Sequence, residues 1–250
     1  MTETDVPRVA VFRPDDERLA EAAELLEGLG ASPVVDSMLE IRPSGTTPRT
    51  DATFVVFTSK TGVELVDEAG WTAGGATLCA IGPATADALR EAGYAVDIIP
   101  ETYTSAGLVD ALEGCVDGDR VEVARSDHGS SVLIEGLFEA GAYVHETVLY
   151  RLVRPNGSGE SARIAADGDL DGAVFTSSLT VENFLEAAEE RGIEDEVVVG
   201  LNDAVVGTIG PPTRETAVAR GIEVDVVPES ADFEALARAV VERVTPADRN

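Results

Sequence analysis

The chain has 250 residues, 44% of them hydrophobic, and carries 47 acidic against 18 basic residues for a net charge of −29. That length can bury one large core or two small ones, and so negative a surface argues against nucleic acid and anionic membranes as partners. No apolar run reaches the length of a membrane span, and Met1–Pro7 is polar and acidic. A cytoplasmic location without signal peptide or anchor is therefore expected. The acids are spread along helix faces and loops, and every base but Lys60 is arginine. This suits a solvated surface at high salt, where charges are screened within about 3–8 Å, and points to a salt-loving source. Cys79 and Cys115 lack CxxC spacing and read as buried small hydrophobes.

Val9-Ala10-Val11-Phe12 reads as the first strand. Pro14, Asp15 and Asp16 start a helix, since proline suits the first turn and acids suit its positive end. Leu19, Ala22, Ala23, Leu25, Leu26 and Leu29 form its apolar stripe, and Gly28 and Gly30 stop it. Val34-Val35 begins a second strand. Met38-Leu39-Glu40-Ile41-Arg42-Pro43 alternates and runs into the loop composition Ser44-Gly45-Thr46-Thr47-Pro48. Ala52 to Ser59 is a buried parallel-type strand ending in hydroxyls, and Lys60 to Val66 opens a helix. Ala80-Ile81-Gly82-Pro83-Ala84-Thr85 then closes an apolar run and opens another helix. A tail, Gly93-Tyr94-Ala95-Val96-Asp97-Ile98-Ile99-Pro100-Glu101, follows it.

From Arg120 the chain repeats itself. Arg120-Val121-Glu122-Val123-Ala124-Arg125 matches Arg8 to Arg13, and a helix over 130–140 follows. Phe175-Thr176-Ser177 answers Phe57-Thr58-Ser59. Thr208-Ile209-Gly210-Pro211-Pro212-Thr213 answers the first Ile-Gly-Pro, and Gly221 to Glu229 answers its tail in the same register. An insertion in the second copy falls around Arg191 to Asn202. The last helix runs from about Asp232 to Val244. Strands are expected at 78–81, 96–99, 205–209 and 224–227, giving each module about five. Alternation of buried strand and helix predicts an α/β protein with parallel sheets covered by helices. Two similar modules make a site between them the first to look for.

In such sheets ligands bind at the carboxyl ends of strands, near helix N-termini. Thr58-Ser59, Thr85, Thr176-Ser177 and Thr213 lie there, and a free first-turn N–H plus a hydroxyl makes a receptor for carboxylate or phosphate. The same residues also suit plain helix caps. There is no GxGxxG after a strand, no GxxxxGK[ST] and no GxSxG. His128, in a polar turn, and His145, in a strand pattern, stand at no metal-ligand spacing. No metal and no cofactor are expected. A cofactor-free enzyme or a binder of an anionic small molecule remains.

The order Phe-Thr-Ser, Ile-Gly-Pro-x-Thr with its Gly…Pro-Glu tail, Arg125, a strand ending Val148-Leu149-Tyr150-Arg151, a second Phe-Thr-Ser and a second Ile-Gly-Pro-x-Thr resembles uroporphyrinogen-III synthase, from about Arg8 to Val244. The resemblance implies two similar flavodoxin/Rossmann-like parallel-sheet domains joined by a two-stranded β-ladder hinge. Residues 1–37 and 159–250 would form the first domain and 51–147 the second, with 38–50 and 148–158 as the ladder; a sequential division near Gly118 is the alternative. It implies a cofactor-independent, cyclising hydro-lyase of tetrapyrrole and heme biosynthesis, acting on hydroxymethylbilane as a monomer. The substrate loses its hydroxyl, ring D inverts through a spiro intermediate, and the macrocycle closes as uroporphyrinogen III. Tyr150 matches the tyrosine proposed as general acid. Thr85 and Thr213 match threonines at the two helix starts, and Ser59 and Ser177 match strand-end serines, all expected to bind substrate carboxylates. Where the family often has arginine or asparagine, this chain has Thr61, with Lys60 before it as a replacement charge. Arg13 and Arg125 end equivalent strands and would meet substrate or pair with local acids. A non-catalytic two-lobed binder of an anionic small molecule is the runner-up, and a sugar-nucleotide transferase the third reading.

Overall fold

A computed structural model describes residues 6–14 and 17–245. The chain folds as two compact units, one of Met1–Glu40 with Val153–Asn250, the other of Ile41–Leu152. The N-terminal part of the first unit holds β1 (Arg8–Phe12), α1 (Glu17–Gly28) and β2 (Ser32–Val35). The second unit follows with β3 (Glu40–Pro43), β4 (Phe54–Phe57), α2 (Lys60–Glu68), β5 (Thr77–Ala80), α3 (Pro83–Glu91) and α4 (Ser105–Leu112). It ends with β6 (Arg120–Ser126), α5 (Ser131–Glu139) and β7 (Tyr143–Val153). The chain then completes the first unit with α6 (Glu160–Ala166), β8 (Gly172–Phe175), α7 (Ser178–Glu189), α8 (Glu194–Asp203), β9 (Val205–Thr208), α9 (Pro211–Ala219) and α10 (Phe233–Val244).

The first unit's sheet has the order β2-β1-β8-β9, all parallel. The second unit's sheet has the order β3-β7-β6-β4-β5, parallel from β7 to β5. Setting β3 aside, the two orders are the same, so the repeat in the sequence is a repeat of topology. The inner strands β4 and β8 are apolar throughout because helices cover both faces of the sheet. In β4, Val55 and Phe57 enter one core while Phe54 and Val56 enter the other. In β8, Ala173 and Phe175 face one side and Val174 the other. Phe12 and Phe175 stack at 4.7 Å between ring centroids, and Phe184 of α7 closes on Phe12 at 4.9 Å.

The mixed α/β fold with parallel sheets is the expected one. The tails are not strands. Segments 96–99 and 224–227 each contribute one isolated bridge, Cys79 to Ile98 and Gly207 to Val226. The reason is an aspartate common to both copies. Asp97 accepts from the Leu78 N–H at 2.8 Å and Asp225 from the Val206 N–H at 2.9 Å. A side-chain carboxylate thus takes the donor that a continuing ladder would have paired with a carbonyl.

The insertion of the second copy is helix α8, which crosses α6 where a Cβ on Gly200 would lie 1.8 Å from the Ala165 carbonyl oxygen. Helices α4 and α6 have no counterpart in the sequence expectations. Cys79 is buried as expected, but Cys115 is exposed, because it lies in the turn after α4 rather than on a core face. Asp15 and Asp16, expected to start the first helix, lie outside the described residues.

Candidate functional site

Parallel neighbours in register bring their carboxyl ends together, and in both units the expected residues follow from that. In the second unit Phe57 of β4 is level with Ala80 of β5 and Ala124 of β6. Ser59, Lys60, Thr61, Thr85 and Arg125 therefore gather at one edge of the sheet. In the first unit Phe175 of β8 is level with Phe12 of β1 and Thr208 of β9, which gathers Arg13, Ser177 and Thr213 likewise.

Ser59 caps α2, accepting from the Gly62 N–H at 3.0 Å. Its oxygen also accepts from the Tyr150 hydroxyl at 3.0 Å. Tyr150 comes from β7, is 7% exposed and sits against Leu149 and the Phe57 core. Gly62 permits this approach, because a Cβ there would lie 3.1 Å from both Leu149 Cδ1 and Ser59 Oγ. Lys60 is exposed and pairs with Glu64 one turn on, at 3.4 Å. Thr61 is half-buried beside them.

The two Ile-Gly-Pro helices start alike. Gly82 and Gly210 are extended N-cap residues with no side chain to cap α3 or α9, and proline follows each. The first-turn N–H groups of these helices are left without a capping side chain, at the positive end of the helix dipole. Thr85 and Thr213 occupy the third position of each helix, largely buried. Ser177 caps α7 through Thr180 in a reciprocal capping box. The neighbouring Ser178 donates to the Pro212 carbonyl at 3.1 Å, which ties the start of α7 to that of α9.

The two arginines are more committed. Arg125 is buried; its Nε donates to Glu146 at 2.7 Å and its Nη1 to the Ser130 carbonyl at 2.5 Å. Arg13 lies over the Phe233 ring, 4.6 Å from its centroid. His128 pairs with Asp127, whose carboxylate also accepts from the Leu152 N–H at 3.0 Å. Burial works to raise the Asp127 pKa, but these bonds outweigh it and hold the carboxyl below the ordinary range. Among the described residues no group of His, Cys, Asp or Glu could hold a metal ion, and no helix is long and apolar enough to cross a membrane.

A family model for uroporphyrinogen-III synthase HemD matches residues 20–238. The chain belongs to the uroporphyrinogen-III synthase family. A putative uroporphyrinogen-III synthase of Methanothermobacter thermautotrophicus is 36% identical over 237 residues, covering 88% of this chain and 92% of that protein. The uroporphyrinogen-III synthase of Chlorobaculum parvum is 26% identical, over 94% of this chain and 98% of its own. In fold, the chain resembles a crystal structure of a mutant uroporphyrinogen III synthase from Thermus thermophilus, with a TM-score of 0.66 at 19% identity, over 95% and 98% of the two chains. The uroporphyrinogen-III synthetase of Helicobacter pylori aligns with a TM-score of 0.64 at 15% identity, over 95% and 99%.

Two features of this synthase-family chain escape sequence reasoning. Arg214 directly follows Thr213 in the first turn of α9, exposed and without an acid partner among the described residues. A cation there opposes the helix dipole; the signal was a base placed beside the second Ile-Gly-Pro-Pro-Thr. Glu122 is the other, a wholly buried carboxylate in β6 bonded to His145 and Thr147. A lone acid inside an apolar strand marked it.

Proposed function

We propose that this protein converts hydroxymethylbilane to uroporphyrinogen III, with the strand-end hydroxyls and free helix N-termini of both units holding the substrate's acid arms. The single observation that carries the residue assignment is the Tyr150 hydroxyl, donated to Ser59 at the start of α2. A phenol on a buried strand, anchored through a capping serine, is fixed at the start of α2. Such a phenol serves as the general acid. In the reaction the pyrrole nitrogen expels the terminal hydroxyl, which departs as water with the proton from Tyr150. Ring D then attacks through its substituted carbon, the spiro intermediate rearranges, and closure returns a proton from the ring carbon.

The protein's chief contribution is conformational, because the unassisted substrate closes without inversion. Thr85, Thr213, Ser177 and Ser59, with the first-turn N–H groups, hold acetate and propionate arms so that the inverted geometry is the near-attack one. Lys60, Thr61 and Arg125 stand at the strand ends of the second unit and Arg13 at those of the first; Arg125 is paired with Glu146, and Lys60 supplies an exposed charge. We further propose that the protein works as a cytoplasmic monomer at high salt. There the −29 surface does not repel a polyanionic substrate beyond a few ångströms. Conversion of hydroxymethylbilane in molar KCl, with separation of type I and type III products, tests the reaction. The Tyr150→Phe variant tests the assignment.

A further inference from the structure

The second unit carries an unassigned cluster away from the strand-end hydroxyls. Glu122 is 0% exposed, and its Oε2 lies 2.8 Å from His145 Nδ1, while Thr147 donates to its other oxygen. A buried carboxylate accepts only, so Nδ1 of His145 carries a proton in either charge state of the ring. Nε2 has no protein partner among the described residues and belongs to a ring that lines two adjoining cavities of about 450 and 390 Å³. Arg49 lines both, and Arg151 and Thr47 line the larger.

The charges facing this ring can be counted by element. Strand β6 presents Glu122 and Arg120, the loop before β4 presents Arg49 and Asp51, and β7 presents Glu146 and Arg151. Each acid is already taken. Asp51 is bridged by Arg49 at 2.9 Å and Arg120 at 3.2 Å, Glu146 by Arg125 at 2.7 Å, and Glu122 by His145 and Thr147. Arg151 is exposed and has no acid partner among the described residues. Arg49 spends Nε and Nη2 on Asp51, which leaves Nη1. On a protein of net charge −29, two arginine heads with spare donors thus line one cavity with the His145 ring.

We infer that this cavity is a binding site for a compact oxyanion of two negative charges, held by Arg151, Arg49 and Thr47 beside the His145 ring. Glu122 is the positioning residue: it fixes the ring that forms part of the cavity wall. The site is independent of the cyclisation chemistry proposed above.

The test uses the full chain in molar KCl, with sulfate and oxalate as probes, both doubly charged from about pH 6 to 8. Heat of binding is measured alongside emission of Trp71, whose Nε1 donates to the Pro48 carbonyl at 2.8 Å, next to Arg49. Expected are saturable binding and an at least about tenfold loss of it in Arg151→Gln. Arg90→Gln, on α3 and paired with Asp87, leaves binding unchanged. Preference for sulfate identifies a phosphate-type ligand, and preference for oxalate a dicarboxylate. Absence of saturable binding by either probe overturns the inference, as does indifference to Arg151→Gln, an exposed change that leaves the fold intact.

Discussion

Tyr150→Phe separates a chemical role from a packing role, because the two losses differ in size. The phenol makes one hydrogen bond, to Ser59 at 3.0 Å, and Ser59 retains its bond from the Gly62 N–H. Removing the hydroxyl therefore strands no buried donor and leaves the ring in its core. The stability cost is that of one neutral hydrogen bond, about 0.5–1.5 kcal/mol, seen as a drop of about 2–8 °C in the melting temperature. If the same hydroxyl protonates the leaving group, type III formation falls by about 10²–10⁴-fold, equivalent to about 3–5 kcal/mol in the barrier. KM stays within about threefold, since the arm-binding donors are untouched. The assay is stopped-flow conversion of hydroxymethylbilane with chromatographic separation of isomers, alongside thermal unfolding of both proteins. A variant that melts lower yet forms type III within about threefold of the parent rate refutes the acid assignment and leaves Tyr150 as packing.

Thr85→Val and Thr213→Val each remove one hydroxyl from an uncapped helix start; KM should rise about tenfold for each, the worth of a bond to a carboxylate, and an unchanged KM would remove that threonine from the site. Burial pushes the Cys79 thiol up to about 12 while Cys115 stays exposed. One thiol should therefore react quickly with a disulfide reagent near pH 8 and the second only on unfolding; two fast thiols would contradict the buried β5. Self-repulsion of a −29 surface is screened within about 3 Å at molar salt against about 10 Å at decimolar. The melting temperature should climb between those conditions, and a flat or falling curve would dispose of the high-salt proposal.

Much of the fold was legible because local chemistry and periodicity agreed. The helix expected over 130–140 is α5, capped by Ser130 and ended at Ala140, since its apolar spacing and cap both lie within one segment. The two Ile-Gly-Pro helices begin where proline and glycine put them. The tails misled because Val-Asp-Ile and Val-Asp-Val have strand composition, while the aspartate's bond to a neighbouring strand depends on residues far away in sequence. The same limit applies to the site. That Ser59 and Thr85 share an edge follows once the strand order is known, but the contact between Tyr150 and Ser59 joins residues 91 apart in sequence. The burial of Arg125 against Glu146 and the pairing of Glu122 with His145 depend on the register of β6 with β7. No pattern within one strand reveals that register. Arg214 stood in plain view, but its lack of an acid partner is a property of the folded surface.

The most direct test of the central claim supplies hydroxymethylbilane to the purified protein in molar KCl and separates the cyclised products. The account predicts that type III, with ring D inverted, dominates from the first turnovers. A product composed of type I alone, at the rate seen without protein, would contradict it.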